Sequence, residues 1–150
     1  MTASVSAPPL SALAPYVPRT LVEASRRHGD SPAWHEWLDG ALMHCDITGF
    51  TAMSESLAAI GNEGAEVMAS VLNGFFDTML AVADARGGVQ MKFGGDAMLL
   101  YFQGEDGAIR AAACGLEMQR LMPRYRRVAV GGGTYMLRMR IGIHAGRFFS

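Results

Sequence analysis

Residues 38–51 read LDGALMHCDITGFT, and this stretch decides the fold. Its apolar part, residues 41–45, reads as a buried strand that delivers one carboxylate, Asp46, and breaks at once into a loop containing Gly49. Residues 87–102, GGVQMKFGGDAMLLYF, deliver a second carboxylate, Asp96, from a glycine turn between two apolar runs. Gly94-Gly95 between short apolar runs is a hairpin signal, so residues 89–93 and 97–102 read as paired strands. The segment between the first strand and this hairpin reads as helix. A right-handed crossover makes the first two strands parallel, and the hairpin returns the third antiparallel between them. Asp46 and Asp96 then converge on one edge of the sheet.

Two carboxylates held side by side repel unless a cation lies between them. Hard oxygen donors without His or Cys in a zinc pattern favour Mg²⁺ or Mn²⁺. The loop over residues 47–51 leads into a helix, and its backbone N–H groups could hold phosphate oxygens opposite the metal. Metal plus phosphate makes a nucleotide the leading ligand.

The 150 residues suit one domain, and half of them are hydrophobic, enough for a core. A formal net charge of -1 argues against nucleic acid or a membrane surface as partner. No uninterrupted apolar run approaches the roughly 20 residues that span a bilayer. The N-terminus, with Pro8, Pro9, Pro15 and Pro18, lacks the regions of a signal peptide, so the expected compartment is the cytoplasm. Cys45 and Cys114 show no metal-site spacing and are expected to be small core residues without a disulfide. Lys92 is the only lysine among thirteen basic residues, four positions before Asp96.

In chain order, residues 1–18 read as a Pro- and Ala-rich leader and residues 19–28 as a short helix. Trp34 and Trp37 are expected to pack a leader, residues 1–37, against the domain, residues 38–150. Residues 51–60 and 63–86 read as helices, the second with a core stripe of Val67, Val71, Phe75, Met79 and Val82. Residues 106–122 read as a further helix with Ile109, Ala112, Ala113 and Leu116 inward, ended by Pro123. Arg124, Arg126 and Arg127 are expected to be solvated, and residues 131–133 to form a turn. Leu137, Met139, Ile141 and Ile143 alternate with Arg138, Arg140, Gly142 and His144, a half-buried fourth strand antiparallel to the first. Arg140 then lies near the Asp46 end, while His144 is further off and structural. The fold expected is α+β, a ferredoxin-like sheet of order 4-1-3-2 with helices on one face.

The blocks DITGFTAMSE, GAEVMASVLNGFF, GGVQMKFGGDAMLLYF and LRMRIGIHAGR, in that order, resemble a class III nucleotidyl cyclase catalytic domain. LAPYVPRTLVEA and WHEWLDGALM resemble more particularly the first cyclase domain of soluble, bicarbonate-responsive adenylyl cyclases and bacterial relatives. The resemblance implies conversion of ATP to cyclic AMP and pyrophosphate, a signalling reaction, with two Mg²⁺ or Mn²⁺ ions held by Asp46, Asp96 and the Ile47 carbonyl. It implies a phosphate-binding turn at Thr48, Gly49, Phe50 and Thr51, and a triphosphate contact from Arg140. Lys92 matches a residue that reads the purine in some members and contacts bicarbonate in others. The resemblance also implies a partner cyclase domain, in tandem or as a homodimer. The family's second purine-reading residue and its transition-state Asn and Arg follow the fourth strand, so the chain is expected to be a cyclase domain incomplete at its C-terminal end, inactive alone. Guanylyl cyclase and a non-catalytic regulatory domain are the alternatives; a diguanylate cyclase would carry Glu where Ala97 follows Asp96.

Overall fold

The strand carrying Asp46 lies inside a four-stranded sheet in the computed structural model, which describes residues 12, 14–29, 31, 33–130 and 132–150. In chain order the elements are α1 (Arg19–His28), β1 (Trp37–Thr48), α2 (Phe50–Ala58), α3 (Asn62–Ala85), β2 (Gly88–Gly94), β3 (Ala97–Gln103), α4 (Gly107–Leu121), β4 (Val128–Val130), β5 (Gly133–Tyr135) and β6 (Arg138–Phe149). The sheet order is β2-β3-β1-β6, and each neighbouring pair is antiparallel. This is the 4-1-3-2 arrangement that the crossover and hairpin rules predict, with β6 as the fourth strand.

Period-two alternation divides the sheet into two faces. Ala41, Met43, Cys45 and Ile47 of β1 and Met98, Leu100 and Phe102 of β3 are buried in one cluster with Phe75, Met79 and Ala83 of α3. Each large apolar side chain in it contributes about 1.5–3 kcal/mol through burial. On the other face Leu42, Asp46 and Thr48 are half-buried and His44 is exposed.

α3 buries the Phe75 and Met79 part of its expected stripe, while Val67, Val71 and Val82 are half-buried. Contrary to the run-by-run reading, α3 is long and apolar enough to cross a membrane by length and composition. In this fold its Phe75, Met79 and Ala83 pack against the sheet.

α4 departs from expectation. Ile109 and Leu116 are 74% and 63% exposed, and the buried positions are Gly107, Ala111, Cys114, Gly115 and Met118. Small residues win because they let the helix axis approach the sheet. A Cβ on Gly115 would already stand 3.5 Å from the Ile141 side chain, and the broader Ile and Leu would hold the helix away.

β1 begins at Trp37, ahead of the apolar run, because Trp37 pairs with Phe149 at the far end of β6. Its indole is exposed beneath the Arg147 guanidinium, so it does not pack a leader. Trp34 instead stacks on His28 of α1, with centroids 5.0 Å apart. Of the leader, residues 1–11, 13, 30 and 32 lie outside the described residues, and Ala14–Tyr16 form a 3-10 turn. The turn expected over 131–133 belongs to the small β4–β5 hairpin; Gly131 lies outside the described residues.

Cys45 and Cys114 are free and buried. Burial, aided by the Cys114 charge, pushes the Cys45 thiol up from 9.0 to about 12, and burial pushes Cys114 to about 11. Both hold their protons more tightly folded than unfolded. Their contribution to stability is therefore complete below about pH 9 and is lost as pH rises through the folded values. Iodoacetamide at pH 8 should leave both unmodified in the native chain and modify both in denaturant, read by intact mass; rapid native labelling would show that the core opens.

Candidate functional site

Register places the polar residues of the helix-free face in transverse rows. One row runs Gly94, Ala97, Asp46, Arg140 across β2, β3, β1 and β6; the next runs Lys92, Leu99, His44, Gly142. Asp46 is thus directly opposite Ala97, the residue that follows Asp96, and the hairpin turn brings both carboxylates to one end of the sheet. Both are partly exposed, and neither takes part in an ion pair among the described residues.

The loop after Asp46 turns on Gly49. Its φ of +91° lies in the left-handed region, and a Cβ there would stand 2.3 Å from the Met136 carbonyl oxygen. This turn aims the start of α2 at the Asp46 end, and no side chain caps that start. Its first backbone N–H groups therefore remain available to an anion. The four residues of the expected phosphate turn differ in what they offer. Thr48 donates its hydroxyl to the Arg138 carbonyl at 3.4 Å, and Phe50 is half-buried against the core. Gly49 and Phe50 can thus serve only through the backbone, whereas the Thr51 side chain is exposed.

Arg140 pairs with Asp46 across β1–β6, is exposed, and forms no ion pair among the described residues. Ile47 is 3% exposed with its side chain in the core, so only its carbonyl could reach a cation. Among the described residues no group of three or more His, Cys, Asp or Glu could hold a metal. Two carboxylates, a carbonyl and substrate phosphates are nonetheless a donor set that suits Mg²⁺, which keeps several waters and seldom occupies an all-protein cage. The residues fit the expected ion.

Lys92 shares the face but not the row of Asp46. It stands two strands from His44, roughly 10 Å at the usual strand spacing, and is exposed. His44, two residues before Asp46 and so on its face, occupies Lys92's row; period-two counting from Asp46 could have singled it out. His144 pairs with Leu42 and meets the Phe148 ring edge-on at 5.8 Å.

The family model described as "Adenylate and Guanylate cyclase catalytic domain" matches residues 38–150. The chain belongs to this family. Over 115 residues, 72% of the cyclase chain described here, it is 34% identical to "Adenylate cyclase type 10" of Rattus norvegicus. It spans no more than 7% of the length of the type 10 relatives it matches. Among solved structures, the guanylyl cyclase Cya2 is 33% identical, with a TM-score of 0.61 over 77% of this cyclase chain and 57% of that one. The adenylyl cyclase CyaB from P. aeruginosa is 26% identical, with a TM-score of 0.64 over 78% and 60% respectively. The sheet and its helices are those of a class III cyclase catalytic domain.

Proposed function

We propose that this cyclase domain works in an adenylyl cyclase, converting ATP to cyclic AMP and pyrophosphate in an intracellular signalling role. The observation that carries the reading is the register that sets Asp46 beside the Asp96 turn, with Arg140 across from it and the uncapped start of α2 next to it. Two divalent ions, when bound, would promote loss of the ribose 3′-hydroxyl proton and neutralise the triphosphate. Asp46, Asp96 and the Ile47 carbonyl would hold them. The N–H groups after Gly49 and the Arg140 guanidinium bind and orient the phosphates, so that the 3′-oxygen lies in line with the leaving pyrophosphate.

Lys92 is exposed on the same face and away from the Asp46 row, a position suited to a pocket shared with a second cyclase domain. That partner is part of the proposal, as a tandem domain or a second copy. Lysine there suits adenine, or bicarbonate in a second pocket, and a carboxylate would suit guanine better. The similarity to the type 10 adenylate cyclase supports adenine, and the similarity to a guanylyl cyclase makes the nucleotide worth testing directly.

The test is nucleotide turnover by the domain paired with a partner cyclase domain in Mn²⁺. Cyclic AMP should exceed cyclic GMP. Lys92→Glu should lower ATP turnover about tenfold or more and shift preference toward GTP if Lys92 reads the purine. It should abolish only bicarbonate stimulation if Lys92 lines the second pocket. A product that is chiefly cyclic GMP in the unaltered protein would overturn the substrate assignment.

A further inference from the structure

The face on which Lys92 sits is set by one extra residue. Counting from Gly88, which lies opposite Phe102 on the helix-covered face, strict alternation would put Lys92 on that same face and Phe93 on the other. The observed register breaks between Gln90, opposite Leu100, and Lys92, opposite Leu99, so Met91 has no partner of its own. A β-bulge of this kind shifts the phase of every residue after it and re-aims the side chains there. Lys92 consequently joins Leu99 and His44 on the face of Asp46 and Arg140. Phe93 turns to the helix side, where its ring meets Phe76 of α3 with centroids 5.0 Å apart.

Something holds the extra residue. The Thr20 hydroxyl of α1 donates to the Met91 Sδ at 3.4 Å. Thr20, Leu21, Trp34, Leu38 and Met91 line a cavity of about 150 Å³ at the end of the sheet away from Asp46. The first residues of α1 also reach α3, where Arg19 lies 3.6 Å from Asp84. α1 thus lies beside β2, its start reaching α3 and Thr20 reaching the bulged residue next to Lys92.

We propose that Thr20 of α1 holds the extra residue of the bulge at Met91, ahead of Lys92, and that this placement presents the lysine to the nucleotide or anion pocket on the face of Asp46. The second half of the statement rests on the proposed role of Lys92; the first half does not.

Two single-residue deletions separate the parts, because each removes the bulge but leaves opposite phases. Deleting Met91 gives a regular ladder with Lys92 still opposite Leu99. Deleting Phe93 gives a regular ladder with Met91 opposite Leu99 and Lys92 opposite Met98, on the helix side. Lys92 is the only lysine, so its Cε protons are unambiguous in NMR spectra of the 150-residue chain. The unaltered chain and the Met91 deletion should show contacts from Lys92 to the Leu99 methyls, and the Phe93 deletion should show contacts to the Phe76 ring instead. Lys92 contacts to Leu99 in the Phe93 deletion would overturn the positioning proposal. If either deletion fails to fold, Thr20→Val and Met91→Ala keep the chain length. Both should weaken the Lys92–Leu99 contact, because each removes the hydroxyl–sulfur bond, and an unchanged contact in both variants would equally overturn the proposal. In the paired domain, the Phe93 deletion and Lys92→Ala should both raise the KM for ATP or remove the bicarbonate response, with the Met91 deletion within about threefold of the unaltered protein. A lysine that moves to the helix side without either effect leaves the positioning role intact and sinks the reading of Lys92 as a ligand contact.

Discussion

Asp96→Ala is expected to abolish Mn²⁺-dependent ATP binding in the paired domain, with affinity falling by more than ~100-fold, while the thermal midpoint moves little. A directly coordinating carboxylate should cost at least as much as the ~10- to 100-fold typical of residues one layer further out. The fold should tolerate the change because Asp96 lies in a hairpin turn, partly exposed, and contributes nothing to the buried cluster. Asp46→Asn should behave the same way, since the amide preserves the shape of the β1 residue and removes only the charge. The double variant should be no worse than either single one, because two donors to one ion pair act as a unit. Isothermal titration with ATP in Mn²⁺ and in EDTA measures this. Unchanged Mn²⁺-dependent affinity in Asp96→Ala would remove these carboxylates from the site.

What the chain discloses before folding depends on the range of the interaction that decides it. The Gly94-Gly95 signal and the crossover rule are local, and together they place Asp46 and Asp96 at one sheet end, as the register of Asp46 opposite Ala97 bears out. The alternation of Leu137, Met139, Ile141 with arginines likewise marks β6 and puts Arg140 beside Asp46. Long-range choices are less legible. α4 carries apolar residues on more than one side, and only the sheet it meets decides that Gly107, Ala111, Cys114, Gly115 and Met118 go inward while Ile109 and Leu116 stay out. The bulge at Met91 is invisible for the same reason. MKF reads as ordinary strand, and the extra residue is defined only against the register of β3. Reading the residues in strict alternation therefore misplaces Lys92, although the family resemblance singles it out.

Gly107→Val should have the opposite signature to Asp96→Ala, a collapse of stability from a change at the other end of the sheet. Gly107 opens α4 where three backbones meet: a Cβ there would stand 2.2 Å from the Phe102 carbonyl oxygen and 3.2 Å from the Ala41 nitrogen. Gly40 presses on the same oxygen, also at 2.2 Å, and Gly104 donates its N–H to the Asp39 carbonyl at 2.8 Å. No flexible side chain can yield, because the obstructing atoms are main chain of β1 and β3. Relief must come from moving α4 off the sheet, which uncovers Ala111, Cys114 and Met118. Overpacking alone costs roughly 1–3 kcal/mol, and lifting buried side chains adds to it. Against the ~5–15 kcal/mol by which domains are stable, the sum should leave much of the chain unfolded at 37 °C. Gly107→Ala should be milder but in the same direction, because it meets the same oxygen with fewer atoms. Urea denaturation followed by circular dichroism decides it: a midpoint for Gly107→Val within error of the unaltered chain would mean that α4 is not seated against β1 and β3 as described.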